Sequence, residues 1–96
     1  MKRLLFSPAA QRDVEGIWEY SADQWGVDQA DHYVDMIGDA CTSLATRLRQ
    51  GVIVDAREGY RKLLVASHAI YYRDEDEAIA IIRVLHGRQD RARNLP

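Results

Sequence analysis

The sequence predicts an α+β domain, β-α-α-β-β-β, with a helical hairpin packed on one face of a small, mainly antiparallel sheet. Two observations carry that expectation. Residues 8–24 and 28–50 repeat apolar side chains at helical spacing on either side of Gly26. Four short stretches, KRLLF at the start and RKLLVAS, AIYYR and EAIAIIRVLH near the end, have the β-branched and aromatic character of strands joined by short turns.

KRLLF, residues 2–6, is the first strand candidate. Ser7-Pro8 then reads as a helix start: Ser7 supplies the capping hydroxyl and Pro8 fills the first helical position, where its missing N–H costs nothing. Along the first helix Ala10, Val14, Ile17, Trp18 and Trp25 fall on one side, with Arg12, Glu15, Glu19 and Asp23 on the other. Gly26 ends it.

The second helix is expected from about Asp28 to Gln50, with Gly51 as its stop. Ala30, Tyr33, Val34, Ile37, Cys41, Leu44 and Leu48 make its apolar stripe, and Asp28, Asp31, Asp35 and Asp39 line the opposite side. The acids gather at its start and Arg47 and Arg49 at its end, as the helix dipole favours. Two such helices joined at one glycine fold back on each other and need an apolar surface to cover. After a loop, GVIVDAREG, the three later strands supply it as a meander, with a tight turn near His68 and an acidic turn, DEDE. KRLLF then joins one edge of that meander, whose middle strand is paired on both sides.

Ninety-six residues suit one domain, residues 1–96, with one modest core. No apolar run is long enough to span a membrane, and LLF is too short for a secretory leader, so a cytoplasmic location is expected. Cys41 is the single cysteine and reads as a small core residue. The net charge is −2, which is unlike a globally basic nucleic-acid binder. Yet the positive charge is concentrated at the end, where Arg88, Arg91 and Arg93 stand against Asp90 alone.

Catalytic signatures are missing. His32, His68 and His86 fall on a helix, at a turn and at a strand end, without metal-ligand spacing. The serines lack a nucleophile elbow, and Gly87 belongs to no phosphate loop. Trp18 and Trp25 read as packing residues rather than base-stacking platforms, and the acidic stripe as a solvated face. Arg83 stands out. Strict alternation places it with Ile79, Ile81 and Leu85, and Ala80, Ile82, Val84 and His86 opposite. An arginine within such a strand takes a carboxylate or backbone partner, or faces an open groove. With His86, Arg88, Arg91 and Arg93 it forms a basic strip suited to phosphates or an acidic protein surface.

The segments LLFSPAAQRDVEGIWEY, YRKLLVASHAIYYR and above all IIRVLHGRQD resemble the ParE branch of the RelE/ParE superfamily, toxins of bacterial type II toxin–antitoxin pairs. The resemblance covers essentially the whole chain. RelE-like members are ribosome-dependent nucleases of messenger RNA, which need cations and proton-transfer groups. Matched to them, the strand arginine of the nucleases falls at Ala69, the later cationic position near Gln89 and the C-terminal tyrosine at Leu95. The basic cluster is represented only by Arg57, Arg61 and Lys62. The resemblance thus implies a ParE-like toxin that inhibits DNA gyrase by binding, with no catalytic residue, cofactor or metal. Its implied partners are gyrase and a ParD-like antitoxin, built as a ribbon-helix-helix module with a tail, through which alone it would meet DNA. The antitoxin surface is left open between the outside of the hairpin and the open sheet face carrying Arg83. A RelE-like nuclease and a degenerate toxin acting only as co-repressor are the alternatives. Arg83, His86, Arg88, Arg91 and Arg93 are the expected target contacts.

Overall fold

A computed structural model describes residues 1–55, 57–89 and 95. Its elements run β1 (Arg3–Phe6), α1 (Pro8–Trp25), α2 (Val27–Ala45), β2 (Val52–Ile53), β3 (Arg61–Val65), β4 (His68–Asp74) and β5 (Ala78–His86), closed by a 3₁₀ turn at Gly87–Gln89. The sheet order is β1-β5-β4-β3-β2. β1 joins β5 in parallel, and the remaining pairs are antiparallel. The α+β class and the hairpin-on-sheet arrangement are as the sequence predicts, with β2 added inside the expected loop.

Ser7 explains how α1 is set on the sheet. Its Oγ accepts the Ala10 N–H at 3.0 Å and donates to the Ile82 carbonyl at 2.7 Å, so one hydroxyl caps the helix and anchors it to β5. Gly26 turns the chain between the helices at φ 96, a conformation that L side chains rarely adopt. Trp18 bridges the hairpin through Nε1, which donates to Asp31 at 2.8 Å.

The core lies between helices and sheet: Ile37, Cys41 and Leu44 of α2 meet Val65, Ile70, Tyr72, Ile79, Ile81 and Val84, with Val14 and Ile17 of α1 packed beside them. Cys41 is a buried core residue, as expected, and burial pushes its thiol up to about 11. A second cluster forms on the opposite face from Tyr60, Ala69, Tyr71, Leu85 and Leu95.

Three expectations need correction. First, α2 stops at Ala45, not near Gln50. Arg47 takes φ 65, and the Leu48 N–H reaches the Ser43 carbonyl while the Arg47 N–H reaches that of Leu44. This is a Schellman ending built on arginine. Leu48 therefore leaves the apolar stripe and is 82% exposed. Gly51 serves instead at a corner: its N–H donates to the Tyr72 hydroxyl at 2.7 Å, and a Cβ there would run into the Lys62 carbonyl.

Second, the tight turn comprises Ala66 and Ser67, and His68 is already the first residue of β4, registered with Val65 and His86.

Third, alternation along β5 is broken. Tyr72 pairs with Ile81 and Tyr71 with Arg83, so Ile82 is an extra residue, a β-bulge. Val84 consequently joins Ile79 and Ile81 in the helix-side core, while Leu85 packs in the opposite cluster.

Candidate functional site

A groove of about 1160 Å³ is lined by both helices, the β3–β4 turn and the end of β5. Ile17, Tyr20 and Trp25 of α1 and Tyr33 of α2 give it an apolar wall, and His68, His86, Arg88, Arg12 and Asp13 give it polar and charged lining. Trp25, expected in the packing, is 65% exposed and meets Tyr20 edge to face at 6.0 Å. It is the last residue of α1.

The inner end of the groove is a hydrogen-bonded relay. The Ser67 N–H donates to the Tyr33 hydroxyl at 3.3 Å, and that hydroxyl lies 2.6 Å from His68 Nδ1. His68 and His86, cross-strand neighbours, stand edge to face at 5.2 Å, and the Arg88 N–H donates to His86 Nδ1 at 3.1 Å. The Arg88 N–H makes His86 Nδ1 an acceptor, so a neutral His86 carries its proton on Nε2. Burial, and secondarily the charge of His86, hold the pKa of His68 below its usual value, while Asp13 pulls the other way.

Arg83 does not face open solvent. Its Nε and Nη2 donate to the two Asp13 carboxylate oxygens at 2.7 and 2.9 Å, a fork-to-fork pair between β5 and α1. The Val84 N–H donates to the same Asp13 Oδ2 at 2.9 Å. Of the five expected target contacts, the structure therefore brings His86 and Arg88 into the groove and engages Arg83 with Asp13. Arg91 and Arg93 lie outside the described residues. The aromatic wall and Asp13 had not been singled out as site residues. Asp13 could have been suspected as the carboxylate that a strand arginine needs.

The open face offers a different environment. Ala69 and Leu95, the positions matched to the nuclease arginine and tyrosine, come together in the apolar cluster of Tyr60, Tyr71 and Leu85. Ala69 is fully buried there, and the Leu95 carbonyl accepts from Arg57 Nη1 at 3.2 Å. The outer side of the hairpin carries Glu15, Glu19, Asp28, Asp35 and Asp39 exposed to solvent. Among the described residues no cluster of His, Cys, Asp and Glu could hold a metal ion, and no helix is long and apolar enough to cross a membrane.

Comparison with known proteins agrees with this architecture. The family profile described as "ParE toxin of type II toxin-antitoxin system, parDE" matches residues 4–91. The chain is 46% identical over 95 residues to Toxin ParE1 of Mycobacterium tuberculosis, covering 97% of each chain. It is 36% identical over 87 residues to Toxin ParE1 of Caulobacter vibrioides, covering 90% of each. Among solved structures, a chain of the chromosomal ParDE toxin–antitoxin system of P. aeruginosa superposes with a TM-score of 0.78 at 20% identity, over 90% of this chain and 96% of that one. A chain of the RelBE2 toxin–antitoxin complex of M. tuberculosis gives 0.57 at 18% identity, over 88% and 96%. At these identities the two structural likenesses speak for the fold alone.

Proposed function

This chain belongs to the ParE toxin family of type II toxin–antitoxin systems, and we propose that it arrests bacterial growth by binding DNA gyrase, without catalysing a reaction of its own. The observation that carries the non-catalytic half is the apolar packing of Ala69 and Leu95 on the open face. Hydrolysis of a phosphodiester needs a cation against the phosphate and groups to move protons, each proton-transfer group contributing roughly 10²–10⁴-fold. At the positions matched to a nuclease's arginine and tyrosine this chain has a methyl group and an isobutyl group.

The target contacts are assigned to the cationic end of the molecule: His86 and Arg88 at the groove, with Arg91 and Arg93 following in sequence. Neutralisation by a ParD-like antitoxin is assigned to the apolar wall of the same groove. Ile17, Tyr20, Trp25 and Tyr33 offer an amphipathic segment apolar surface within a groove. Such a segment, ordered on binding, would lie directly beside His86 and Arg88.

The experiment is a supercoiling and cleavage assay with purified bacterial gyrase and this protein freed of antitoxin. Inhibition is expected with wild type, and none with Arg88, Arg91 and Arg93 all changed to alanine. Equal growth arrest by wild type and triple variant would remove the tail from the mechanism, and turnover of messenger RNA on ribosomes by the pure protein would overturn the non-catalytic reading.

A further inference from the structure

We propose that Asp13 is a positioning residue for the cationic end: its carboxylate holds the end of β5, and with it His86 and Arg88, in the place from which they meet the target. The inference rests on the reading of His86 and Arg88 given above, and extends it to a residue of α1 that need touch no target itself.

The edge of β5 shows why such a hold is needed. β1 covers that edge only as far as the pair Phe6–Ile81. Ser7 continues the cover by two steps, its N–H on the Ile81 carbonyl at 2.9 Å and its Oγ on that of Ile82. Then the bulge at Ile82 kinks the strand. Beyond it the Val84 N–H points at the edge where no strand remains, and Asp13 Oδ2 accepts it at 2.9 Å. The carboxylate acts there as a single rung of a missing ladder. The same oxygen takes Arg83 Nε, so backbone and side chain of consecutive residues are fixed to one point on α1.

Two residues further on stands His86, whose Nδ1 accepts the Arg88 N–H, while the Gly87 N–H is tied to the Ser67 carbonyl at 2.8 Å. Asp13 thus fixes one side of the segment that carries His86 and Arg88, and the β3–β4 turn fixes the other. The helix–sheet core already holds α1 in place through Ala10, Val14 and Ile17. The clasp is therefore placed to order a local segment rather than to make the fold possible.

The test compares the full-length wild type with Asp13→Asn and Asp13→Glu. Asp13→Asn keeps the shape but sets an amide NH₂ against the guanidinium; Asp13→Glu keeps the charge on a longer arm. In Asp13→Asn, amide hydrogen exchange should rise about tenfold or more at Val84, Gly87 and Arg88, with little change at Ile37 and Ile70. Growth arrest on controlled expression should fall by a similar factor, with Asp13→Glu restoring part of both. The proposal is overturned if Asp13→Asn arrests growth like wild type, if exchange rises throughout the core, or if the variant fails to fold. A wild type that arrests growth without inhibiting gyrase would remove the gyrase reading alone, and the growth and exchange data would still decide the role of Asp13.

Discussion

The Tyr33 hydroxyl and His68 Nδ1 lie 2.6 Å apart, joining the middle of α2 to the first residue of β4 side chain to side chain. The same hydroxyl accepts the Ser67 N–H, so the phenol fastens the β3–β4 turn to the helical layer. Tyr33→Phe leaves the ring and removes both bonds. It should lower unfolding free energy by about 1–2 kcal/mol, measured by denaturant titration.

The pH dependence follows from the depressed pKa of His68, which burial and then His86 impose. As pH falls through the ordinary histidine value of 6.5, the unfolded chain takes up a proton that native His68 refuses. Stability contributed above that pH is therefore lost below it, levelling off beneath the folded pKa. Denaturant midpoints compared at about pH 7.5 and 5.5 should fall in wild type, and fall less in His68→Gln.

Arg47 and Ala66 both hold positive φ, at 65 and 52, without being glycine. A left-handed L-residue costs roughly 1–2 kcal/mol, part of which glycine's freedom in the unfolded chain takes back. Arg47→Gly and Ala66→Gly should each stabilise by about 0.5–1 kcal/mol. The Arg47–Asp74 contact at 3.6 Å has an arginine side chain 60% exposed, and its loss subtracts little. Thermal melts of the single variants check this.

Gly51 is the opposite case. Its hydrogen atom faces the Lys62 carbonyl and the Tyr72 ring, so Gly51→Ala must push β2 and β3 apart. A cost of about 1–3 kcal/mol is expected, with loss of the Tyr72 hydroxyl bond visible as faster exchange of the Gly51 amide.

Leu95→Ala should cost about 2 kcal/mol or more, as truncation of a buried leucine does. It uncovers Tyr71 and Leu85, which a dye that reports exposed apolar surface would detect.

The helical hairpin was legible because Ala10, Val14, Ile37, Cys41 and Leu44 repeat at one period, and because Ser7-Pro8 and Gly26 mark its limits with chemistry specific to helix ends. The end of α2 was not, since Arg47 occupies a conformation that sequence reasoning assigns to glycine, and Gly51 drew the boundary to itself. β2 is two exposed residues and carries no pattern to read. Arg83 was recognised as needing a partner, but Asp13 lies 70 positions away and only the fold brings it near. The groove is assembled from α1, α2 and the ends of β4 and β5, and Trp25 shares the period of buried residues while standing exposed at the end of α1.

The bulge at Ile82 has a consequence for how this surface can change. Side chains on a strand obey a parity, and one surplus residue reverses it for everything downstream. Held in unbroken alternation through Ile82, the strand would instead turn His86 away from Tyr33 to the open face and carry Leu85 to the helix side, exchanging the two sides' chemistry. The presentation of the basic end to a partner is thus governed by a counting irregularity in the backbone, to which side-chain substitutions nearby are blind.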